Sequence, residues 1–280
     1  MQVVETVKEM REIAREMRSA GHSVAFVPTM GALHRGHVHL FEKARENAEI
    51  VVVSSFLNPR QFEDQEDYKR YPRVPEQDQE MAREAGVDYF FSPEAGDMYP
   101  SGFLTTVNVS YLSSKLEGEA RPGHFRGVCT VVVKLLNIVQ PDVLLLGLKD
   151  AQQFTIISHV VEDLCIPVKV LGVPTVRDAD GLALSSRNVH LNKEQRDQAL
   201  SMNRALKRVH FLVKKQGILH AGELLQAVRS AIQTSGAKLE YAQIVNRVTL
   251  EPLDHVIRGG TYVLLAIKVG NTRLIDNTRI

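Results

Sequence analysis

Two histidines three residues apart, His34 and His37, follow a glycine-bearing turn, and their setting limits the chemistry open to them. The stretch reads Val24-Ala-Phe-Val-Pro-Thr-Met-Gly-Ala-Leu-His-Arg-Gly-His-Val-His39. An apolar run from Val24 to Val27 ends at Pro28, a turn carries Gly31 and Gly36, and a helical pattern runs from Val38 through Ala48. Strand, loop and helix in that order put both imidazoles where the helix begins. The first N–H groups of a helix lack internal partners and carry the positive end of its dipole, so anions settle there. Two imidazoles at that point can face one phosphate, and protonation lets either stabilise charge that grows during reaction. Met30, Gly31, Ala32, Leu33, His34, Arg35, Gly36 and His37 therefore read as a cradle for the phosphates of ATP. A zinc site is the first alternative, but no Cys or Glu stands nearby at ligand spacing. The second is purely structural, with the rings capping the helix. His39 should point elsewhere and is given no role.

Other residues could complete such a site. Lys149 and Asp150 follow an apolar run; a lysine there can reach a phosphate, and an aspartate can orient it or hold ribose or magnesium. A surface ion pair is the alternative. Leu184-Ser-Ser-Arg187-Asn188 follows Asp178-Ala-Asp-Gly181, which has turn chemistry. Its hydroxyls and guanidinium can contact a triphosphate, and a loop can close after the nucleotide arrives; a solvated loop is the plainer reading. Asn58, Gln61, Gln152 and Gln153 are neutral amides able to recognise the hydroxyl and carbonyl groups of a small polar acid. Arg121, His124 and Arg126 form a basic segment that either holds a carboxylate or phosphate or is simply solvated.

These candidates need elements to carry them. Val3 to Met17 predicts an amphipathic helix that Gly21 stops. Ile50 to Phe56 suits a buried parallel strand, Asn58-Pro59 breaks it, and Gln61 to Pro75 reads as a polar loop. Glu76 to Ala85 predicts a helix, Val87 to Phe91 a strand, and Phe103 to Val109 an edge strand. Val128 to Val139 has a helical stripe but a strand-like β-branched content. Asp142 to Leu148 predicts a strand, Ala151 to Leu164 a helix and Val168 to Val173 a strand. This alternation implies a doubly wound, Rossmann-like parallel α/β sheet, in which ligands bind beyond the carboxyl ends of the strands. Met30–His37, Asn58–Gln61 and Gly147–Asp150 each follow a predicted strand. A second, smaller α+β domain should follow, with helices at Lys193–Gln216 and Ala221–Thr234 and strands at Leu239–Val245 and Thr261–Val269. The expected domains are 1–175 and 176–280.

Composition narrows the class. The 280 residues are 44% hydrophobic and 24% charged, with a formal net charge of +1, which argues against non-specific nucleic-acid binding. No run approaches the roughly 18 apolar residues of a membrane span, and Met1 to Met17 lacks a signal-peptide apolar stretch. Cys129 and Cys165 both sit in apolar surroundings and read as buried free thiols. The expected location is the cytoplasm.

The string Pro28-Thr-Met-Gly-Ala-Leu-His-Arg-Gly-His37 resembles the histidine signature of nucleotidyltransferases related to class I aminoacyl-tRNA synthetases. Asn58-Pro-Arg-Gln-Phe62, Tyr71-Pro-Arg73, Arg121-Pro-Gly-His-Phe-Arg-Gly127, Gly147-Leu-Lys-Asp-Ala-Gln-Gln153 and Leu184-Ser-Ser-Arg-Asn188 follow in order. Together they resemble the pantothenate synthetase (pantoate–β-alanine ligase) family over nearly the whole chain. The resemblance implies ATP-dependent ligation of (R)-pantoate and β-alanine through a pantoyl adenylate. It puts ATP on Met30 to His37, with His34 and His37 at the phosphates and His37 as proton donor. It puts pantoate on Gln61 and Gln153, with Asn58 beside them and Gln61 also near β-alanine. Gly147, Leu148, Lys149 and Asp150 would contact nucleoside and phosphates, Val176 the adenine side, and Leu184, Ser185, Ser186 and Arg187 the triphosphate. Of these, His37, His34, Lys149 and Arg187 would be catalytic. Leu148 stands where the family pattern often has Glu. The resemblance further implies magnesium on the phosphate oxygens and a homodimer. Against a nucleotidyltransferase that stops after transfer, the amide pair Gln61 and Gln153 favours ligation of a small hydroxy acid; a nucleotide sensor without turnover would not need both histidines, Lys149 and the Ser-Ser-Arg loop together.

Overall fold

The computed structural model describes residues 1–63 and 65–280. Packing divides the chain into two units, Met1–Leu148 with Gln152–Pro174, and Lys149–Ala151 with Thr175–Ile280. Lys149–Ala151, expected in the first domain, thus group with the second, where the Asn277 amide donates to the carbonyl of Lys149 (2.7 Å).

The first unit runs β1 (Gln2–Val4), α1 (Val7–Ser19), β2 (Val24–Thr29), α2 (Arg35–Arg45), β3 (Ile50–Ser55), α3 (Gln65–Arg70), α4 (Pro75–Glu84), β4 (Tyr89–Phe91), α5 (Ala95–Met98), α6 (Glu117–Ala120), α7 (His124–Val139), β5 (Val143–Gly147), α8 (Ala151–Asp163) and β6 (Lys169–Val173). Its six strands lie in the order β1-β4-β3-β2-β5-β6, all parallel. Successive strand residues face opposite sides. Ala25, Val27, Val51, Val53, Val143 and Leu145 pack with Phe41 and Ala44 of α2 and Ala82 of α4. Phe26, Val52 and Leu144 are equally buried on the other face, where α7 meets β2 and α1 meets α7. A sheet covered on both faces needs continuous apolar strands, which is why these segments read so plainly. Strand order reverses between β2 and β5. With Ala25 opposite Val143, the carboxyl ends of both strands, Thr29 and Gly147, share one sheet edge, the switch-point crevice of such folds.

Within the first unit, four expectations are corrected. The predicted helix at Val3 starts only at Val7, because Thr6 caps it, accepting from the Glu9 N–H (3.2 Å), and Gln2–Val4 pairs with β4. The polar loop Gln61–Pro75 contains α3, whose acidic first turn and basic last turn suit the helix dipole; Asp64, within that loop, lies outside the described residues. Phe103–Val109 is not a strand: the Val107 N–H is taken by Thr130 Oγ1 (3.0 Å) and Leu104 is 91% exposed. Cys129 is a buried free thiol, but Cys165 is exposed, at φ 51° just after α8.

The second unit holds α9 (Lys193–Ala199), α10 (Ser201–Gln216), α11 (Ala221–Ser235), β7 (Lys238–Asn246), β8 (Thr261–Val269) and β9 (Thr272–Arg279). The strands form an antiparallel β7-β8-β9 sheet whose Val263, Leu265 and Ile267 pack with Leu206 and Val209 of α10 and Leu224 and Val228 of α11. The single helix expected over Lys193–Gln216 breaks at Leu200, where Ser201 Oγ donates back to the Gln198 carbonyl (2.6 Å). Strand β9 was not foreseen. Among the described residues no helix is long and apolar enough to cross a membrane.

Candidate active site

The turn between β2 and α2 is held open by Asp78 of α4, 46 positions beyond Ala32. Gly31 (φ 79°) and Ala32 (φ 51°) both lie in the left-handed region, which costs a non-glycine residue about 1–2 kcal/mol. Asp78 offsets that strain, accepting the N–H groups of Ala32 (2.9 Å) and Leu33 (2.7 Å) on its two oxygens; bonds to a charged group contribute about 1.5–3 kcal/mol each. Burial pushes the Asp78 carboxyl up, and the Leu33 and Ala32 amides pull it back. A Cβ at Gly31 would sit 2.9 Å from both Asp78 Oδ2 and Ser55 Oγ, so glycine is required. Ala32 and Leu33 are buried with their amides spent on Asp78.

Helix α2 then opens with His34 as its cap. His34 Nδ1 accepts the Gly36 N–H (3.1 Å), and His37 Nδ1 accepts the His34 N–H (3.1 Å). A backbone N–H can only donate, so each neutral ring carries its proton on Nε2. The rings lie 4.1 Å apart between centroids, two donor edges at one helix N-terminus. Capping and phosphate binding, alternatives in the sequence, are here compatible uses of different nitrogens. His39 instead meets Glu42 (3.2 Å).

Beside them, Gln61 Nε2 reaches Met30 Sδ (2.8 Å). Gln61 is fixed from several directions: Asn58 Nδ2 donates to its side-chain oxygen (3.0 Å), and His124 Nδ1 meets its carbonyl (2.9 Å). Asn58, 1% exposed, also donates to the Gly127 carbonyl (3.1 Å) and accepts from Tyr99 Oη (2.9 Å) and the Arg60 N–H (3.2 Å). With its amide so engaged it orients Gln61. Tyr99 is half-buried, its hydroxyl pushed up to about 12 by desolvation, and it stays the donor. In the Arg121–Gly127 segment His124 braces Gln61, Arg121 lies 3.9 Å from Asp67, and Arg126 is exposed.

Gly147 ends β5, and Leu148 is buried where a Cβ on Gly172 would fall 2.5 Å from it, so an apolar residue fits. Gln153 is half-buried. Gln152 is no ligand group: its amide holds Leu112 and Lys115 carbonyls (2.9 and 2.8 Å) and the Glu117 N–H (3.0 Å). In the second unit Lys149 is half-buried and Asp150 exposed. Val176 and Leu184 are joined across a hairpin (Leu184 N–H to Val176 carbonyl, 3.0 Å), and Ser185 caps the short turn Ser186–His190 that carries Arg187. The sequence reading missed Asp78, Tyr99 and His124's bracing role.

A family model, pantoate-beta-alanine ligase, matches residues 2–279. A curated pantothenate synthetase from Pelotomaculum thermopropionicum is 49% identical over 278 residues, 99% of this chain and 98% of the relative. The pantothenate synthetase structure from Thermus thermophilus superposes with a TM-score of 0.93 at 44% identity, covering 100% of this chain and 99% of the other. A Francisella tularensis pantoate-beta-alanine ligase, solved complexed with Beta-gamma ATP and Beta-alanine, gives 0.77 at 34% identity, covering 100% and 97%. The chain belongs to the pantoate–β-alanine ligase (pantothenate synthetase) family.

Proposed function

We propose that this chain joins (R)-pantoate to β-alanine with ATP in two steps. The pantoate carboxylate attacks the α-phosphate and pyrophosphate leaves; the amine of β-alanine then displaces AMP from pantoyl adenylate, giving pantothenate. The observation that carries the reading is the pair of imidazoles at the start of α2, each braced at Nδ1 by a backbone N–H. A carboxylate is a weak nucleophile, so the acceleration must come from alignment and from neutralising the leaving pyrophosphate. His37 Nε2–H and His34 Nε2–H supply that neutralisation, with His37 as proton donor. Gln61 and Gln153 are assigned to pantoate, Gln61 also to β-alanine, and Asn58 to holding Gln61 in place.

By sequence correspondence Gly147, Lys149 and Asp150 are assigned to nucleoside and phosphates, Val176 to the adenine side, and Leu184–Arg187 to the triphosphate. Magnesium is the expected companion of ATP. Among the described residues no three His, Cys, Asp or Glu side chains gather as a metal cage. Asp150, exposed beside Lys149, is the carboxylate that would hold the ion, which when bound would neutralise phosphate charge. We extend the proposal to a homodimer acting in the cytoplasm, a reading supported by the family resemblance and by two free thiols.

The test is pyrophosphate release from ATP and magnesium. One equivalent per site with pantoate alone, becoming steady AMP and pantothenate production when β-alanine is added, is the expected result. Nucleotide binding without release under either condition would overturn it.

A further inference from the structure

We propose that β9, the last strand, is a positioning element for the phosphate-binding groups, with Asp276 holding the hairpin that leads into Ser185–Arg187 and Asn277 holding the backbone of Lys149. This rests on the assignment of those groups to the triphosphate. Adjacent strand residues face opposite sides of a sheet, so two neighbours can grip two different segments. Both are buried, at 3% and 8% exposure, which is costly for polar side chains without partners.

Asp276 takes the Arg177 guanidinium in a two-pronged pair (2.6 and 2.8 Å), and Arg177 also donates to the Gly181 carbonyl (3.2 Å). One guanidinium thus ties both ends of the Asp178–Gly181 turn to the strand. Arg196 of α9 binds Asp178 (2.6 Å) and Asp180 (2.7 Å). Asn203 of α10 donates to the Gly181 carbonyl (2.6 Å). Gly181 has φ 99°, and a Cβ there would lie 1.9 Å from Asn203 Nδ2. Beyond the turn, Asn188 donates to the Ala183 carbonyl (3.0 Å) and Ser185 Oγ accepts the Arg187 N–H (3.3 Å). Joining β6 to α9 does not require a hairpin braced from three elements, whereas holding a guanidinium at a fixed place does. Next to Asp276, the Asn277 amide donates to the Lys149 carbonyl (2.7 Å). One strand therefore sets the spacing of Lys149 and Arg187, and a misplacement of about 1 Å in such groups costs up to about 100-fold in rate.

The experiment compares Asn277→Ala, the isosteric Asn277→Asp, Lys149→Ala and the Lys149→Ala/Asn277→Ala double variant. Pyrophosphate release with pantoate, binding of AMP (which lacks the β and γ phosphates) and thermal melts are measured for each. The expected result is release lowered about 10- to 100-fold in both Asn277 variants, with AMP affinity kept. In the Lys149→Ala background Asn277→Ala should add less than about twofold, because the strand acts through Lys149. Arg177→Lys, which keeps charge but loses the two-pronged pair, should raise KM for ATP while sparing AMP. Unchanged release in the Asn277 variants, a loss that multiplies in full with that of Lys149→Ala, or AMP binding lost in step with melting temperature would overturn the proposal. If Lys149→Ala itself leaves release unchanged, the phosphate assignment fails and not the tether.

Discussion

A histidine at a helix cap must divide its two nitrogens between the backbone and whatever else it serves. In this chain both rings give Nδ1 to an N–H of their own turn, so a substitution can separate the two duties. Glutamine at the third helical position reaches back to the cap N–H in the ordinary capping box. His37→Gln should therefore melt within a degree or two of the parent while pyrophosphate release falls about 100-fold or more, the scale of removing one preorganised charge-stabilising group. Retained turnover would leave capping as the only role. Asp78→Asn tests the brace behind the rings: an amide can accept only on its oxygen, so the N–H of Ala32 or Leu33 is left facing a donor, at a cost of about 1–3 kcal/mol. A lower melting temperature and slower release are expected together. The histidines were legible in the sequence because cap, loop and rings lie within one short stretch. Asp78, Tyr99 and His124 were not, since each meets its partner across 41 to 63 residues, a distance at which spacing carries no signal.

Elements show the same division between local and distant causes. Strands β2, β3 and β5 were readable because a sheet covered on both faces demands continuous apolar runs, whereas α1 was started too early because its apolar stripe runs on past the Thr6 cap to Val3. Strand β9 was hidden because Asp276 and Asn277, which face partners in other segments, interrupt the apolar pattern. Gly127 of α7 shows why propensity alone misleads. Alanine is the better helix former by up to about 1 kcal/mol, so an exposed Gly→Ala there would stabilise. A Cβ at this glycine, however, would lie 2.3 Å from the Arg60 carbonyl oxygen and 2.7 Å from Gln61 Cα, backbone atoms with little room to yield. Overpacking of that kind costs about 1–3 kcal/mol, and the sign reverses. Gly127→Ala should melt lower and, by displacing Gln61, raise KM for pantoate more than KM for ATP. Equal changes in both, or a higher melting temperature, would show that α7 does not set Gln61.

At the scale of the molecule, the second unit contains a titration that the proposed chemistry does not use. His210 on α10 meets Thr278 Oγ1 of β9 through Nε2 (2.6 Å), while its Nδ1 is buried with no hydrogen-bond partner among the described residues. Protonation would put an N–H on Nδ1 with nothing to accept it. Desolvation, with a smaller contribution from the Lys214 charge, holds the imidazole below its ordinary value of 6.5. The unfolded chain therefore binds the proton first as pH falls, and linkage makes stability rise with pH over that interval. The contribution is fully present above about 6.5, the unfolded value, and is lost as pH falls through the lower folded value. Denaturant midpoints taken from pH 7.5 down to pH 5 should fall more steeply for the parent than for His210→Gln, which cannot titrate. The carboxylate of Asp180, held below its usual range first by the Arg196 side chain, loses its contribution only at lower pH and is common to both proteins. Parallel pH profiles for parent and variant would mean that the imidazole reaches solvent, and the packing of α10 on β9 would then have to open on acidification before the chain unfolds.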